Sequence, residues 1–553
     1  MSEDDAATQM RRHSSRVAAG ITLSRLSGLL RDAVLAFFLG ANVGADAFRA
    51  ALRIPNFLQN LLGEGVLSAS FIPTYARLLD EGREEEAGRV AGAVLGLLVA
   101  ASGGLVLLGV LLARPLTMLL TPGFVGERLE LTVTLVRIMF PGVGLLVVSA
   151  WCLGVLNSHR RFFLSYVAPV LWNTGILAVL LTLGATAVLE PAVAAGVGVV
   201  LGGGLQLAVQ LPSVRRVLRG TLRPSLETRS AAVRQVLRAF GPIVLGRGVV
   251  QIAALLDLVV ASLLAVGAVA VIGYAQTLYL LPIALFGMSV AAAELPSLSS
   301  RDPQAHAALT QRLDAGLGRS AFFVLGATVG YVLLGGPIVG LLYGRGEFDQ
   351  PTTAQVGLVL AVYSLGLIAA TASRLLQSVL YASDDARTPA AAAVTRVAVA
   401  LAIGVPLMLN LDQLVVDLTE PLWVRLADDG ELWTLAPVDA DLRDGVPNQL
   451  RLGAIGLAAG SAVGAWVELL LLRRRVSGRF AAVRVGGGTL PRLALAGVLA
   501  AAVIGLGRWL LDLPMAAEVV LLGGVAGIVY VAVCWLLRVP EARTLVATLA
   551  GRG

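Results

Sequence analysis

The chain has 553 residues, of which 57% are hydrophobic and only 14% charged, with a mean hydropathy of +0.82 and a formal net charge of +7. A soluble chain of this length would split into several domains and carry far more charge, so these figures exclude a soluble enzyme and predict a polytopic membrane protein. The apolar runs are rich in Leu, Val, Ala and Gly without strict alternation, which predicts an all-α protein and excludes barrel strands.

Cys152 and Cys534 sit in apolar runs, and His13, His159 and His306 fall in polar segments. They form no disulfide framework, metal-ligand spacing or Cys/His nucleophile pair. The arginines cluster in short connections beside apolar runs. Topology and anionic lipid head groups explain that distribution, and nucleic-acid binding is not expected.

The polar start, MSEDDAATQMRRHSSR, lacks the short apolar core and small-residue cleavage site of a signal peptide and is expected as a cytoplasmic tail over 1–16. Windows of about 19 residues then place apolar segments near 17–39, 47–77, 89–113, 131–157, 164–187, 192–213, 235–265, 268–298, 319–343, 353–382, 389–411, 451–472, 491–512 and 516–537, about fourteen transmembrane helices. Alternate connections are basic: Arg160 and Arg161; Arg215, Arg216, Arg219, Arg223, Arg229 and Arg234; Arg301, Arg312 and Arg319; Arg473, Arg474, Arg475, Arg479 and Arg484. By the positive-inside rule these are cytoplasmic, and so are both termini. The opposite connections, around 121–130, 344–352 and 412–448, carry more acid. The last is long enough for a small external hairpin, since VRLADDGELWTLA alternates around an Asp-Asp-Gly turn; a loose loop is the alternative.

With no soluble domain in the pattern, function is expected among the helices. The stretch RIPNFLQNLLGEGVLSASFIPTYARLL, residues 53–79, is apolar enough for lipid yet is interrupted by Arg53, Pro55, Asn56, Gln59, Asn60 and Glu64. The preceding residues add Arg25, Arg31, Asp32, Asp46 and Arg49. An arginine at the bilayer centre costs about 2.5–3.5 kcal/mol on insertion scales, so intramembrane arginines face protein or water. Arg25, Arg31 and Arg53 together predict a water-filled anion-binding cavity, because the guanidinium fork suits phosphate oxygens. The alternative for each is a local pair, Arg31 with Asp32 or Asp46 being the nearest. Pro55 removes a helical hydrogen bond and should distort its helix.

A second polar set opens the second half: Arg247, Gln251 and Asp257, then Gln276 and Thr277. Asp257 is expected either to pair with Arg247 or to hold a coupling cation, a proton or sodium. Arg374 is a further cavity candidate, whereas Asp384 and Asp385 before Thr388-Pro389 are expected to cap the next helix. Arg137 reads as a snorkelling residue and Glu294 as a helix-end residue near water.

SRLSGLLRDAVLAFFLGA, ADAFRAALRIPNFLQNLLGEGVLSASFIPTYARLL, TPGF, LVRIMFPG, GVLNSHRRFFLSYVAPVLWN, LPSLS and LYASDDARTP together resemble the MurJ (MviN-type) lipid II flippase family, within the superfamily of multidrug and polysaccharide-lipid exporters. The resemblance implies two six-helix lobes in a V shape, here 17–213 and 235–472, joined by a basic cytoplasmic linker over 214–234. It also implies a basic loop over 473–490, two additional helices over 491–537 forming a lipid-tail groove, and a cytoplasmic tail over 538–553. It implies a secondary-type transporter and not an enzyme, and no nucleotide-binding loop of the GxxxxGK[ST] kind occurs. Such a transporter moves undecaprenyl-diphosphate-linked peptidoglycan precursor from the inner to the outer leaflet of the bacterial cytoplasmic membrane by alternating access. It needs no cofactor beyond Na+ or H+ coupling and the membrane potential, and its partners are the glycolipid, membrane lipids and cell-wall synthesis enzymes.

Carried onto this chain, the resemblance places Arg25, Arg31, Asp46 and Arg53 around the head-group cavity, with Gln59, Asn60, Arg247 and Arg374 as further contacts. It makes Pro55, Asn56 and Glu64 gating positions and Asp257 the coupling-cation site. Gln59, Asn60 and Thr277 depart from positions where many members carry arginine, and Arg49, Arg247 and Arg374 are the candidate replacements. These departures leave three alternatives: a flippase for another polyprenyl-diphosphate glycolipid such as an exopolysaccharide or O-antigen unit, a cation-coupled small-molecule exporter, or a scaffold for cell-wall enzymes. The exporter would want an acidic and aromatic cavity. The scaffold would make the arginines dispensable.

Overall fold

A computed structural model describes residues 3–284, 303–382, 385–417, 423–426, 437–438, 450–479 and 488–549. Over these residues the chain is helical apart from one small sheet, and it divides into two compact units, Met1–Val269 and Ala270–Gly553. Among the described residues nine helices are long and apolar enough to cross a membrane, ten when one bent pair is taken as a single span. The more polar or shorter helices near 17–39, 47–77, 235–265 and 268–282 make that number compatible with fourteen.

In the first unit, α1 (Glu3–Leu39) starts within the stretch expected as a tail. Next, α2 (Val43–Leu62) is capped by the Asn42 side chain, which accepts from Ala45 N–H at 3.0 Å. The polar stretch 53–79 is then divided among the end of α2, α3 (Glu64–Ser70) and α4 (Ile72–Asp80). Pro55 stays inside α2, buried, and the break comes at Gly63. There the Gly63 N–H donates to the Gln59 carbonyl at 2.7 Å, and a Cβ on Gly63 would lie 2.2 Å from that same oxygen. Only glycine permits this approach. Pro73 in the first turn of α4 sits where its missing N–H costs nothing.

The unit continues with α5 (Glu84–Leu111), α6 (Ala113–Leu120), α7 (Gly126–Ser158), α8 (Phe162–Val179), α9 (Pro191–Leu218) and α10 (Ala231–Ala261). The deeply buried α7 carries Trp151, whose indole N–H donates to the Ala91 carbonyl of α5 at 3.1 Å. Gly88, Gly92 and Gly96 form a small-residue groove along α5 that seats the linker after α9. Within it the Ser225 N–H donates to the Gly92 carbonyl at 3.3 Å. The chain divides after α10, so this helix, expected from the sequence with the second lobe, belongs to the first unit.

The second unit contains α11 (Ala268–Pro282, with its first two residues in the first unit), α12 (Pro303–Tyr343), α13 (Gln350–Ser364) and α14 (Leu367–Ala382), the last two bent by 47°. Then come α15 (Arg387–Leu411), α16 (Gly453–Arg479), α17 (Leu490–Leu510), α18 (Met515–Leu536) and α19 (Pro540–Leu549). The C-terminal stretch expected as a tail is therefore helical over most of its length. As expected, Asp385 caps α15, accepting from the Thr388 N–H at 3.0 Å and its hydroxyl at 2.8 Å; Asp384 lies outside the described residues, as does Glu294. Phe322 of α12, Leu493, Ala496 and Ala500 of α17, and Tyr530 of α18 share one apolar core.

The connection 412–448 supplies β1 (Leu414–Asp417) and β2 (Trp423–Leu426), antiparallel with Leu414 opposite Leu426, while β3 (Leu450–Arg451) pairs on the other side of β1. The strand expected at the start of VRLADDGELWTLA is present, but it pairs backwards with β1. Its expected partner beyond the Asp-Asp-Gly turn lies outside the described residues.

Candidate functional site

In the first unit, α1 packs on α8 and brings Arg31 to Asn173 and Trp172. Arg31 donates to Asp32 from Nε and Nη2, at 3.0 and 2.8 Å, and to the Asn173 Oδ1 from Nη1 at 3.0 Å. Its guanidinium carbon lies 5.1 Å from the centroid of the Trp172 ring, and Asn173 donates onward to the Ser27 hydroxyl at 2.8 Å. Of the two partners open to Arg31 from sequence, the structure uses Asp32. Arg25 is half-buried six residues earlier on the same helix.

Asp46 is placed elsewhere than expected. It is 0% exposed and forms an ion pair with Arg128, itself 2% exposed, and it also accepts from the Gly267 N–H at 2.7 Å. Arg128 stacks over Phe124 at 3.8 Å and donates to the Leu264 carbonyl. A cation in the first turn of α7 opposes the helix dipole, and the Asp46 carboxylate offsets it. Asp46 is thus a lock between α2, α7 and the turn before α11, and presents no oxygen to a ligand.

Arg53 and Gln59 are half-buried on α2, and Asn56 is half-buried with its Oδ1 lacking a hydrogen-bond partner among the described residues. Asn60 donates to Gln251 Oε1 of α10 at 2.9 Å. Glu64 is exposed in the first turn of α3, where an acid favours the helix. Asp257 is exposed on α10, and the Arg247 side chain lies outside the described residues. Among the described residues no three His, Cys, Asp or Glu side chains gather as metal ligands.

At the C-terminal end of α7, His159 bonds the Tyr75 hydroxyl at 3.0 Å. Burial, reinforced by Arg161, holds the imidazole below its ordinary pKa, with Glu84 opposing.

The second unit has its own charged cluster, which the sequence reading did not single out. Glu468 of α16 is 2% exposed, accepting from Gln377 of α14 at 2.8 Å and from Arg396 of α15 at 3.1 Å. Arg374, expected for the cavity, is exposed on α14. Thr277 donates to the Gly273 carbonyl of its own helix at 3.1 Å. Between α12, α17 and α18 lies an apolar cavity of about 140 Å³, lined by Gly326, Gly330, Leu334, Ala500, Ala526 and Tyr530 among others.

Residues 35–419 match the family model described as lipid II flippase MurJ. The chain is 32% identical over 408 residues to the lipid II flippase MurJ of Burkholderia cenocepacia, covering 72% of this chain and 76% of that one. It is 33% identical over 409 residues to the probable lipid II flippase MurJ of Rhizobium meliloti, covering 71% and 74%. A solved structure of lipid II flippase MurJ in an inward closed conformation shares the fold with a TM-score of 0.74 at 20% identity, over 96% of this chain and 99% of that one. An inward-facing MATE transporter of the MOP superfamily shares it with a TM-score of 0.62 at 17% identity, over 84% and 98%. This multi-pass chain, with its arginine-bearing first helices and two compact helical units, belongs to the MurJ lipid II flippase family.

Proposed function

We propose that the chain moves lipid II, the undecaprenyl-diphosphate-linked peptidoglycan precursor, from the inner to the outer leaflet of the bacterial cytoplasmic membrane, with both termini on the cytoplasmic side. The observation that carries this reading is a charge imbalance. Residues 25–53 hold four arginines and two aspartates, and both acids are already engaged, Asp32 by Arg31 and Asp46 by Arg128. Four arginines against two aspartates in this stretch suit an anionic ligand, and a diphosphate supplies two charges with oxygens that fit the guanidinium fork.

In this reading Arg25, Arg31 and Arg53 receive the diphosphate, with Trp172 and Asn173 holding the Arg31 fork in place. Gln59, Asn60 and Arg247 are further head-group contacts. The break at Gly63 lets α2 and α3 change their angle as the gate, with Pro55, Asn56 and Glu64 beside it. The polyprenyl tail runs in the apolar cavity against α17 and α18. No ATP is required: each charge crossing in the membrane potential is worth about 2.3 kcal/mol per 100 mV, and a cation near Asp257 resets the cycle. An exporter of cationic drugs fits poorly, because it would need the opposite charge in its cavity.

The test is replacement of the native flippase in a depleted bacterium by this chain, with outer-leaflet lipid II quantified. Growth with restored outer-leaflet lipid II is expected. Membrane-inserted protein without either would redirect the assignment to a different polyprenyl-linked sugar.

A further inference from the structure

Among the described residues, Trp151 and Trp466 spend their indole N–H groups on backbone carbonyls, those of Ala91 at 3.1 Å and Leu365 at 2.9 Å. Trp172 of α8 does not. Its Nε1 is covered by protein and has no acceptor among the described residues. An N–H that has given up water and received nothing in return calls for an explanation. The backbone offers no relief, because α8 and α9 meet so closely here that a Cβ on Gly202 would lie 2.4 Å from the Trp172 carbonyl oxygen. The neighbouring side chains offer none either. Asn173 donates to Ser27, and Ser27 donates to the Ser24 carbonyl at 2.8 Å, so that chain of donors closes on α1. Arg31, whose guanidinium carbon lies 5.1 Å from the Trp172 ring centroid, can only donate. Among the described residues it spends three of its five N–H groups, on Asp32 and Asn173, and keeps one on each terminal nitrogen. Its side chain is 19% exposed, which leaves the Arg31–Trp172 pair an opening.

We infer that Trp172 is a specificity-determining residue whose indole N–H donates to an oxygen of the head group held at Arg31. This rests on the diphosphate lipid proposed above. The donors left over here, two on Arg31 and one on Trp172, ask for oxygens that accept, whether on the phosphates or on the sugar attached to them. Ligand oxygens take up the remaining N–H groups of Arg31, and the indole turns about its side-chain bonds to bring Nε1 out of its cover. Its ring stays beside the guanidinium, and the helix backbone stays where Gly202 fixes it. A donor unsatisfied without ligand is satisfied with it, so the desolvation cost carried beforehand is recovered on binding and adds to affinity. The same asymmetry gives selectivity. A lipid with no oxygen at that point leaves the N–H unpaired and gains nothing from it. The ring and the N–H of Trp172 thus have separate tasks, the first toward Arg31 and the second toward the ligand.

The experiment uses the purified full chain in detergent with two lipids, a polyprenyl diphosphate and the same lipid bearing its sugar. Affinities are measured calorimetrically for the unsubstituted chain and for Trp172→Phe, which keeps an aromatic face for Arg31 and removes the N–H. The variant is expected to bind about tenfold more weakly. Because the smaller ring can unsettle the packing, benzothienylalanine at the same position, which keeps the bicyclic shape and carries sulfur in place of the N–H, should show the same weakening. With isotope-labelled tryptophan, the indole N–H resonance that is absent from Trp172→Phe should move downfield when ligand is added to the unsubstituted chain, as a new hydrogen bond requires. Equal weakening for both lipids places the accepting oxygen on the phosphates; weakening for the sugar-bearing lipid alone places it on the sugar. Unchanged affinity of the benzothienylalanine chain for both lipids, or an indole resonance that ligand does not move, overturns this inference and leaves the proposed substrate standing. Absence of any binding to the unsubstituted chain overturns both.

Discussion

Among the described residues, the Asp46–Arg128 pair of the first unit and the Glu468–Arg396 pair of the second are built to opposite specifications. In Asp46–Arg128 both side chains are closed off, 0% and 2% exposed, and further donors and an aromatic ring complete the site. In Glu468–Arg396 only the acid is closed off. A fully enclosed pair cannot exchange partners without unfolding its surroundings, so it fastens elements together. A pair with one exposed member can hand that member to a ligand. The distinction lies in the burial of each partner and not in the residue types, which are nearly the same.

The largest effect expected from this contrast follows Asp46→Ala, which leaves Arg128 charged and enclosed. Such a loss costs about 3–5 kcal/mol and should appear as a much lower thermal transition in detergent. Adding Arg128→Met should recover part of it. An unchanged transition in the single variant would remove the distinction between the two pairs.

Gly63→Ala comes next. The added methyl meets the Gln59 carbonyl oxygen at 2.2 Å, so the break between α2 and α3 must shift. An overpacking cost of about 1–3 kcal/mol is expected, read as a lower thermal transition together with reduced lipid transport. Loss of transport with stability intact would sharpen the gating reading. Arg396→Ala should cost the fold less, about 1.5–3 kcal/mol, because Gln377 still donates to the carboxylate it leaves behind. Its thermal transition should fall by less than that of Asp46→Ala.

The smallest effect concerns His159. Its folded pKa is held below the ordinary value of 6.5, so the unfolded chain takes up a proton first as pH falls. Stability should therefore decline as pH drops below the ordinary imidazole range, and the decline should end once pH passes the lowered folded value. His159→Gln should flatten that part of a stability-versus-pH curve; an unchanged slope would assign the acid sensitivity to other groups.

Much of the fold was legible because lipid imposes a simple rule on sequence: apolar runs near the right length, with basic residues between alternate pairs. The discontinuity in 53–79 was also legible, although the break fell at Gly63, where an N–H closes on a carbonyl, and not at Pro55. The membership of α10 in the first unit was not legible, because hydropathy marks a span without saying what it packs against. Part of the site followed from charge at membrane depth, and the Arg31–Asp32 pair was one of two open choices. The same rule applied to AAVTRVAVA and AWVELLLL marks Arg396 and Glu468, each a lone charge in an apolar run. Arg128 carries no such mark. TPGFVGERLE reads as a wet connection, and its burial depends on Asp46, 82 positions away in sequence.

The central claim, that the excess arginines of the first unit serve a diphosphate lipid, is tested most directly in liposomes containing the purified chain and lipid II. The fraction of lipid II crossing to the opposite leaflet would be measured for the unsubstituted chain and for Arg53→Ala at matched protein density. The account predicts crossing well above protein-free liposomes for the former and near that background for the latter. Equal crossing by both proteins, or none above background by either, would contradict it.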